Sequence, residues 1–96
     1  MKLSDLIKTA KPMSVDHKGS GPKDPEIRSI HYRSQDVTPG GLFVAIAGHI
    51  ADGHDYIEDA VERGAVAVVS QKEIKGKASN IRVADTRQAL ADIAAC

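Results

Sequence analysis

Two groups of side chains in this 96-residue sequence have types and spacings that chemistry can use. The first is His49, Asp52, His54 and Asp55, an H-x-x-D-x-H-D run whose two imidazoles and two carboxylates form a donor set that zinc accepts. Against a metal, Asp52-Gly53 is a common turn pair, and Asp55 stands where a helix needs its N-cap. No metal ligand is therefore assigned, and a metal-dependent enzyme or binding module using His49 and His54 is kept as the alternative from a different class. The second group is Arg33-Ser34-Gln35 together with His49-Ile50-Ala51. If the strands that carry them are neighbours, the two segments meet where the sheet gives way to loops. There Ser34 offers a hydroxyl that donates and accepts, and the 49–51 segment offers backbone donors and acceptors. Such a pair suits a nucleotide diphosphate or a uracil edge, which is read by a few directed hydrogen bonds rather than by bulk charge. The residues alone are equally compatible with Ser34 merely closing a turn.

Self-contained catalysis is not expected. The sequence holds no G-x-x-x-x-G-K-[ST] phosphate loop and no G-x-S-x-G, H-E-x-x-H or C-x-x-C, so no catalytic residue is assigned. The one cysteine, Cys96, is the last residue, which rules out an intrachain disulfide and suits a reducing compartment. Lys plus Arg equals Asp plus Glu at 13 each, so no net field steers the chain toward nucleic acid or an anionic membrane. The first 20 residues carry Lys2, Asp5, Lys8, Lys11 and Asp16, with no apolar run of the kind found in signal peptides or membrane spans. The expected location is the cytoplasm.

The candidate residues must be positioned by the elements around them, and the central stretch from Tyr32 to Tyr56 is organised by its turns. Val37-Thr38-Pro39-Gly40-Gly41 predicts a type II turn, since proline presets φ and the following glycine takes the positive φ that the turn demands. Leu42 to Ala47 is an apolar run between glycines, which reads as a strand buried on both faces. A loop at 48–53 then leads into a helix predicted over Asp55 to Gly64, with Asp55 and Glu58 as a capping box and Gly64 as the residue just past its end. Ala65 to Ser70 reads as a second buried strand, completing a strand-helix-strand unit with a right-handed crossover.

The flanks follow the same logic. Leu3, Leu6, Ile7 and Ala10 predict an opening helix over Ser4 to Thr9, with Ser4 as its cap. Residues 11–26 hold three of the four prolines and read as a surface connector that includes His17, with an extended piece at Met13 to Val15. Ile27 to Ser34 alternates as a strand, the lysine-rich 71–79 reads as a solvated connector, and Asn80 to Ala84 reads as a half-exposed strand. Asp85 caps a last helix over Thr86 to Ala95, with Gln88 as box partner and Ala89, Leu90, Ile93 and Ala94 turned inward. The pattern stops inside that helix, as expected of a domain cut from a longer chain. The fold class is α/β, a small, largely parallel or mixed sheet with flanking helices.

The run S-Q-D-V-T-P-G-G-L-F-V-A-I-A-G-H-I-A-D-G-H-D-Y-I-E-D-A-V-E-R-G-A-V-A-V-V resembles the N-terminal domain of the Mur ligases, in particular those of the MurE type. The family pattern is D-S-R-x-V-x-P-G-x-L-F-V-A-x-x-G-x-x-x-D-G-H-x-[FY]-I-x-x-A-x-x-x-G-A-x-A-V-V, and the likeness covers residues 27 to 95 with the opening K-L-S-D-L-I also similar. The resemblance implies that residues 1–96 form one domain that holds the UDP part of UDP-N-acetylmuramoyl-L-alanyl-D-glutamate. In such a ligase a central domain with a G-T-N-G-K-T loop binds ATP with magnesium, and a third domain helps bind the incoming amino acid, diaminopimelate or lysine. It implies substrate contacts at Tyr32, Ser34, His49, Ile50 and Ala51, with no cofactor held by this domain itself. The runner-up within the family is the first domain of a MurF-type ligase. One departure stands out: the family's D-S-R is Arg33-Ser34-Gln35 here, so binding is expected to persist if those flanks only position the turn, and Arg33 to substitute from the other side of the serine if a guanidinium helps hold the ligand.

Overall fold

Five short strands form one sheet in the order β1-β5-β4-β3-β2, and its middle is apolar on both faces. A computed structural model describes residues 2–10, 13–16, 26–46, 52–72 and 78–94. The strands are β1 (Ser14–Asp16), β2 (Ser29–His31), β3 (Gly41–Val44), β4 (Ala67–Ser70) and β5 (Ser79–Arg82), and the helices are α1 (Leu3–Ala10), α2 (Ile57–Glu62) and α3 (Thr86–Ala94). β2, β3, β4 and β5 run parallel, while β1 joins the far edge antiparallel through Val15 opposite Ile81. The sheet is therefore mixed, and the α/β class expected from the sequence is what the chain forms.

Period-two alternation along the central strands sends successive side chains to opposite layers. Leu42, Val44, Ala67, Val69 and Ile81 face Leu3 and Leu6 of α1 and Ala89 and Ile93 of α3, which pack against each other. Phe43 and Val68 face the other way, onto Ile57 and Ala60 of α2. A strand buried on both sides is the reading that Leu42 to Ala47 invites, and all four residues of β3 are buried. Ala47 itself lies outside the described residues, as do His17, most of the 11–26 connector and the middle of 71–79.

Two turns lock the edge of this arrangement. The Gly41 N–H donates to the Thr38 carbonyl at 2.9 Å, and Gly40 sits at φ +86°, the conformation a type II turn with Pro39 at its second position requires. Gly64, at φ +109°, ends α2, and its backbone lies so close to Pro39 that an added Cβ would stand 2.6 Å from the proline Cα. The Gly40 N–H donates to the Gly64 carbonyl at 3.0 Å, so the turn before β3 and the end of α2 dock directly.

Several expectations are corrected. β2 ends at His31 rather than Ser34, and the chain coils at once into a 3-10 turn, Ser34–Asp36. As an edge strand β2 has a ladder partner on one side only, so little holds it extended. The cap of the central helical segment is Asp52, not Asp55: a 3-10 turn, Gly53–Tyr56, precedes α2, and the Asp52 carboxylate accepts from the His54 N–H. α1 starts at Leu3, with the Lys2 carbonyl accepting from Asp5 and Leu6, which leaves Ser4 inside the first turn. Asp85 does cap α3, accepting from the Arg87 and Gln88 N–H groups, but Gln88 reaches forward to Asp92 instead of back to the cap. Burial alternates from Ile81 to Ala84 as the pattern predicts, but β5 itself spans Ser79–Arg82, and Asn80 is buried, bonded to Ser70 and the Lys72 carbonyl.

Candidate functional site

The carboxyl ends of β2 and β3, α2 with its flanking residues and the first turn of α3 line an open cleft of about 590 Å³. Parallel strands place this opening where the chain leaves the sheet, the usual seat of a ligand in such folds. Tyr32, Arg33, Ser34 and Gln35 form one wall, Phe43, Ile46 and Gly53 the floor, and Tyr56, Asp59 and Arg63 the wall opposite, with Arg87 contributing from α3. Tyr32 and Tyr56 are half or more exposed, an unusual state for two rings in a small domain with three aromatic residues. The cleft thus offers aromatic faces, a hydroxyl and three guanidinium groups against one carboxylate.

Ser34 is held in a defined state. Its hydroxyl donates to the Asp59 carboxylate, and that bond, reinforced by Arg63, holds the Asp59 carboxyl below its ordinary pKa. Arg63 Nε donates to Asp59 Oδ2 at 3.0 Å, and its terminal nitrogen reaches the Gln35 carbonyl at 3.4 Å. One turn of α2 therefore fixes the 3-10 turn that carries Ser34. A serine oxygen that donates to a carboxylate keeps lone pairs that a neighbouring N–H can use.

His54 lies next to the cleft but is occupied by the fold. Its side chain is 6% exposed, and its Nδ1 lies 2.6 Å from Asp52 Oδ1. Its Nε2 accepts from the Gln71 N–H at 2.9 Å, which requires the proton to sit on Nδ1. The Gln71 side-chain oxygen in turn accepts from the Thr86 N–H and hydroxyl, at 3.3 and 3.1 Å. The Asp52 carboxyl is held below its ordinary value, first by the His54 backbone N–H and then by the imidazole. Both imidazole nitrogens are engaged, so His54 has no lone pair to give a metal, and among the described residues no group of His, Cys, Asp and Glu could hold one.

Of the residues expected at the ligand, the structure brings Tyr32 and Ser34 to the cleft. His49, Ile50 and Ala51 lie outside the described residues. Ile46 and Gly53, the described cleft residues on either side of that segment, are joined by a bond from the Gly53 N–H to the Ile46 carbonyl at 2.8 Å. Sequence reasoning missed Tyr56, Asp59, Arg63 and Arg87. The Asp59 and Arg63 pair carries a readable i, i+4 signal, but its orientation toward Ser34 depends on tertiary packing. Among the described residues, no helix is long and apolar enough to cross a membrane.

Comparison with known proteins agrees with the fold. The model of the Mur ligase family, catalytic domain, matches residues 26–96. The UDP-N-acetylmuramoyl-L-alanyl-D-glutamate–2,6-diaminopimelate ligase of Halalkalibacterium halodurans is 40% identical over 94 residues, spanning 98% of this chain and 18% of that protein. The ligase of the same name from Syntrophomonas wolfei is 44% identical over 97 residues, 99% of this chain and 19% of its own length. Among solved structures, MurF from Acinetobacter baumannii superposes with a TM-score of 0.80 at 26% identity, over 96% of this chain and 20% of that one. The chain spans about a fifth of the length of the relatives it matches.

Proposed function

This chain belongs to the Mur ligase family, and from that premise we propose that residues 1–96 form the domain that holds the UDP part of UDP-N-acetylmuramoyl-L-alanyl-D-glutamate. The ligase of which it is a domain would add the third residue of the peptidoglycan stem peptide, 2,6-diaminopimelate in keeping with the names of the relatives. Identities of 40% and 44% to those ligases, against 26% to a MurF structure, favour this over the MurF-type reading. The observation that carries the proposal is the cleft at the strand ends, where a serine acceptor stands beside exposed tyrosines and an excess of arginine.

The chemistry of each group fits that ligand. The Ser34 oxygen, its proton directed to Asp59, accepts from an imide N–H such as that of uracil. Tyr32 supplies an aromatic face for the base or ribose. His49, Ile50 and Ala51 complete the contact through their backbone groups. The sequence lacks a phosphate loop, so the nucleotide that drives ligation would be bound by the rest of such a ligase, and the domain's part is to bind and orient. The substrate is a soluble nucleotide sugar and the lone cysteine suits a reducing milieu, so the place of action is the cytoplasm.

The test is an NMR amide-shift titration of the chain with UDP, with ADP as control and Ser34→Ala as the variant. A few hydrogen bonds, each contributing about 0.5 to 1.5 kcal/mol, predict a dissociation constant on the order of millimolar. Shifts confined to residues near 32–35 and 46–59, selective for UDP and weakened in Ser34→Ala, are the expected outcome. Equal responses to UDP and ADP would refute the reading.

A further inference from the structure

The three arginines of the cleft are not equivalent. Arg63 is matched by Asp59 at 3.0 Å and by the Gln35 carbonyl, so its charge is answered within the fold. Arg87 sits in the first turn of α3, beside its cap. Arg33 is different: its nearest carboxylate, Asp36, stands 3.9 Å away with both side chains 57% exposed, a contact that water largely screens. Yet Arg33 is oriented. The Gln35 side-chain amide, turned so that its oxygen meets the guanidinium, accepts from Arg33 Nε at 3.2 Å and from Nη2. A neutral acceptor fixes the plane of a cation without cancelling its charge, and the remaining N–H groups stay available to a planar or tetrahedral anion.

We infer that Arg33, aligned by Gln35, contacts the diphosphate of the nucleotide ligand, and that Gln35 is a positioning residue for it. This rests on the reading of the cleft as a UDP site. Arg33 precedes Ser34 directly, and both side chains line the same wall, so a ligand whose base meets Ser34 brings its phosphates within reach of the long arginine side chain. A guanidinium suits this task better than an ammonium because its fork engages two phosphate oxygens at once.

The experiment compares UDP with uridine, which lacks the diphosphate, in titrations of the wild-type chain, Arg33→Ala and Gln35→Ala. Arg33→Ala is expected to weaken UDP binding at least about tenfold, the loss of a charge-assisted contact, while uridine binding stays as in wild type. Gln35→Ala removes no charge and is expected to weaken UDP several-fold, again sparing uridine. Both side chains are exposed, so circular dichroism of the variants should be unchanged. If Arg33→Ala leaves UDP affinity intact, or lowers UDP and uridine alike, the Arg33 contact is wrong while the uridine site stands. If Gln35→Ala leaves UDP affinity intact, its positioning role is wrong. If wild-type chain binds neither compound, the reading of the cleft itself fails.

Discussion

Replacing His54 with phenylalanine isolates what the imidazole contributes to the fold. The ring volume is kept, so no cavity of consequence opens, but the bond from Nδ1 to Asp52 at 2.6 Å and the bond from the Gln71 N–H at 2.9 Å are both lost. The first is charge-assisted, yet the Asp52 side chain is 35% exposed and recovers part of its solvation from water. The second leaves the Gln71 N–H facing an apolar ring, and an orphaned partly buried donor costs about 1 to 3 kcal/mol. Together the loss should come to about 2 to 3 kcal/mol, or roughly 10 to 20 °C in melting temperature for a domain of this size. Urea denaturation followed by circular dichroism measures it directly, with Asp52→Asn as the comparison. Asparagine retains an oxygen that can accept from the His54 N–H and ring, so that variant should lose clearly less. A loss under about 1 kcal/mol in His54→Phe would refute the claim that this histidine ties the segment after β3 to β4 and α3.

Two further outcomes concern stability. The Asp52 and Asp59 carboxyls are both held below the ordinary value in the folded chain, so they stabilise it above about pH 4 and the contribution disappears as pH falls through their depressed pKa values. Acid unfolding of Asp52→Asn should accordingly show a shallower dependence on pH below 4 than wild type, and an unchanged slope would remove Asp52 from the acid response. Gly64→Ala places a Cβ 2.6 Å from Pro39 Cα at a φ of +109°. It should cost on the order of 2 to 3 kcal/mol in a chemical melt, well beyond the price of a glycine-to-alanine change at an ordinary backbone position.

What was legible in the sequence is what short-range stereochemistry dictates. Pro39-Gly40 announced its turn, Gly64 announced the end of α2, and the unbroken apolar run from Leu42 announced a strand covered on both faces. The failures have a common cause in partners that are distant in sequence. Asp55 and Asp52 are both plausible caps locally, and the 3-10 turn that selects Asp52 is held by His54, whose other nitrogen meets Gln71. The alternation of Ile81 to Ala84 holds, but the burial of Asn80 depends on Ser70 and the Lys72 carbonyl, partners ten and eight residues away. At the cleft, Ser34 was readable from its place at a strand end, and Tyr32 from the family resemblance. Asp59, Arg63 and Arg87 reach the same space only because α2 and α3 flank the sheet.

The 3-10 turn Ser34–Asp36 contains no buried residue and hangs between β2, at the sheet's edge, and the buried Val37. Its contacts to the rest of the domain run through the Asp59 and Arg63 side chains rather than through the core. On this wall of the cleft, the residues proposed to meet the ligand are therefore separate from those that pack the core. Arg33 and Gln35 are both exposed, so either can be exchanged without repacking a single core position. Affinity and melting temperature should therefore vary independently across substitutions at positions 33, 35 and 36.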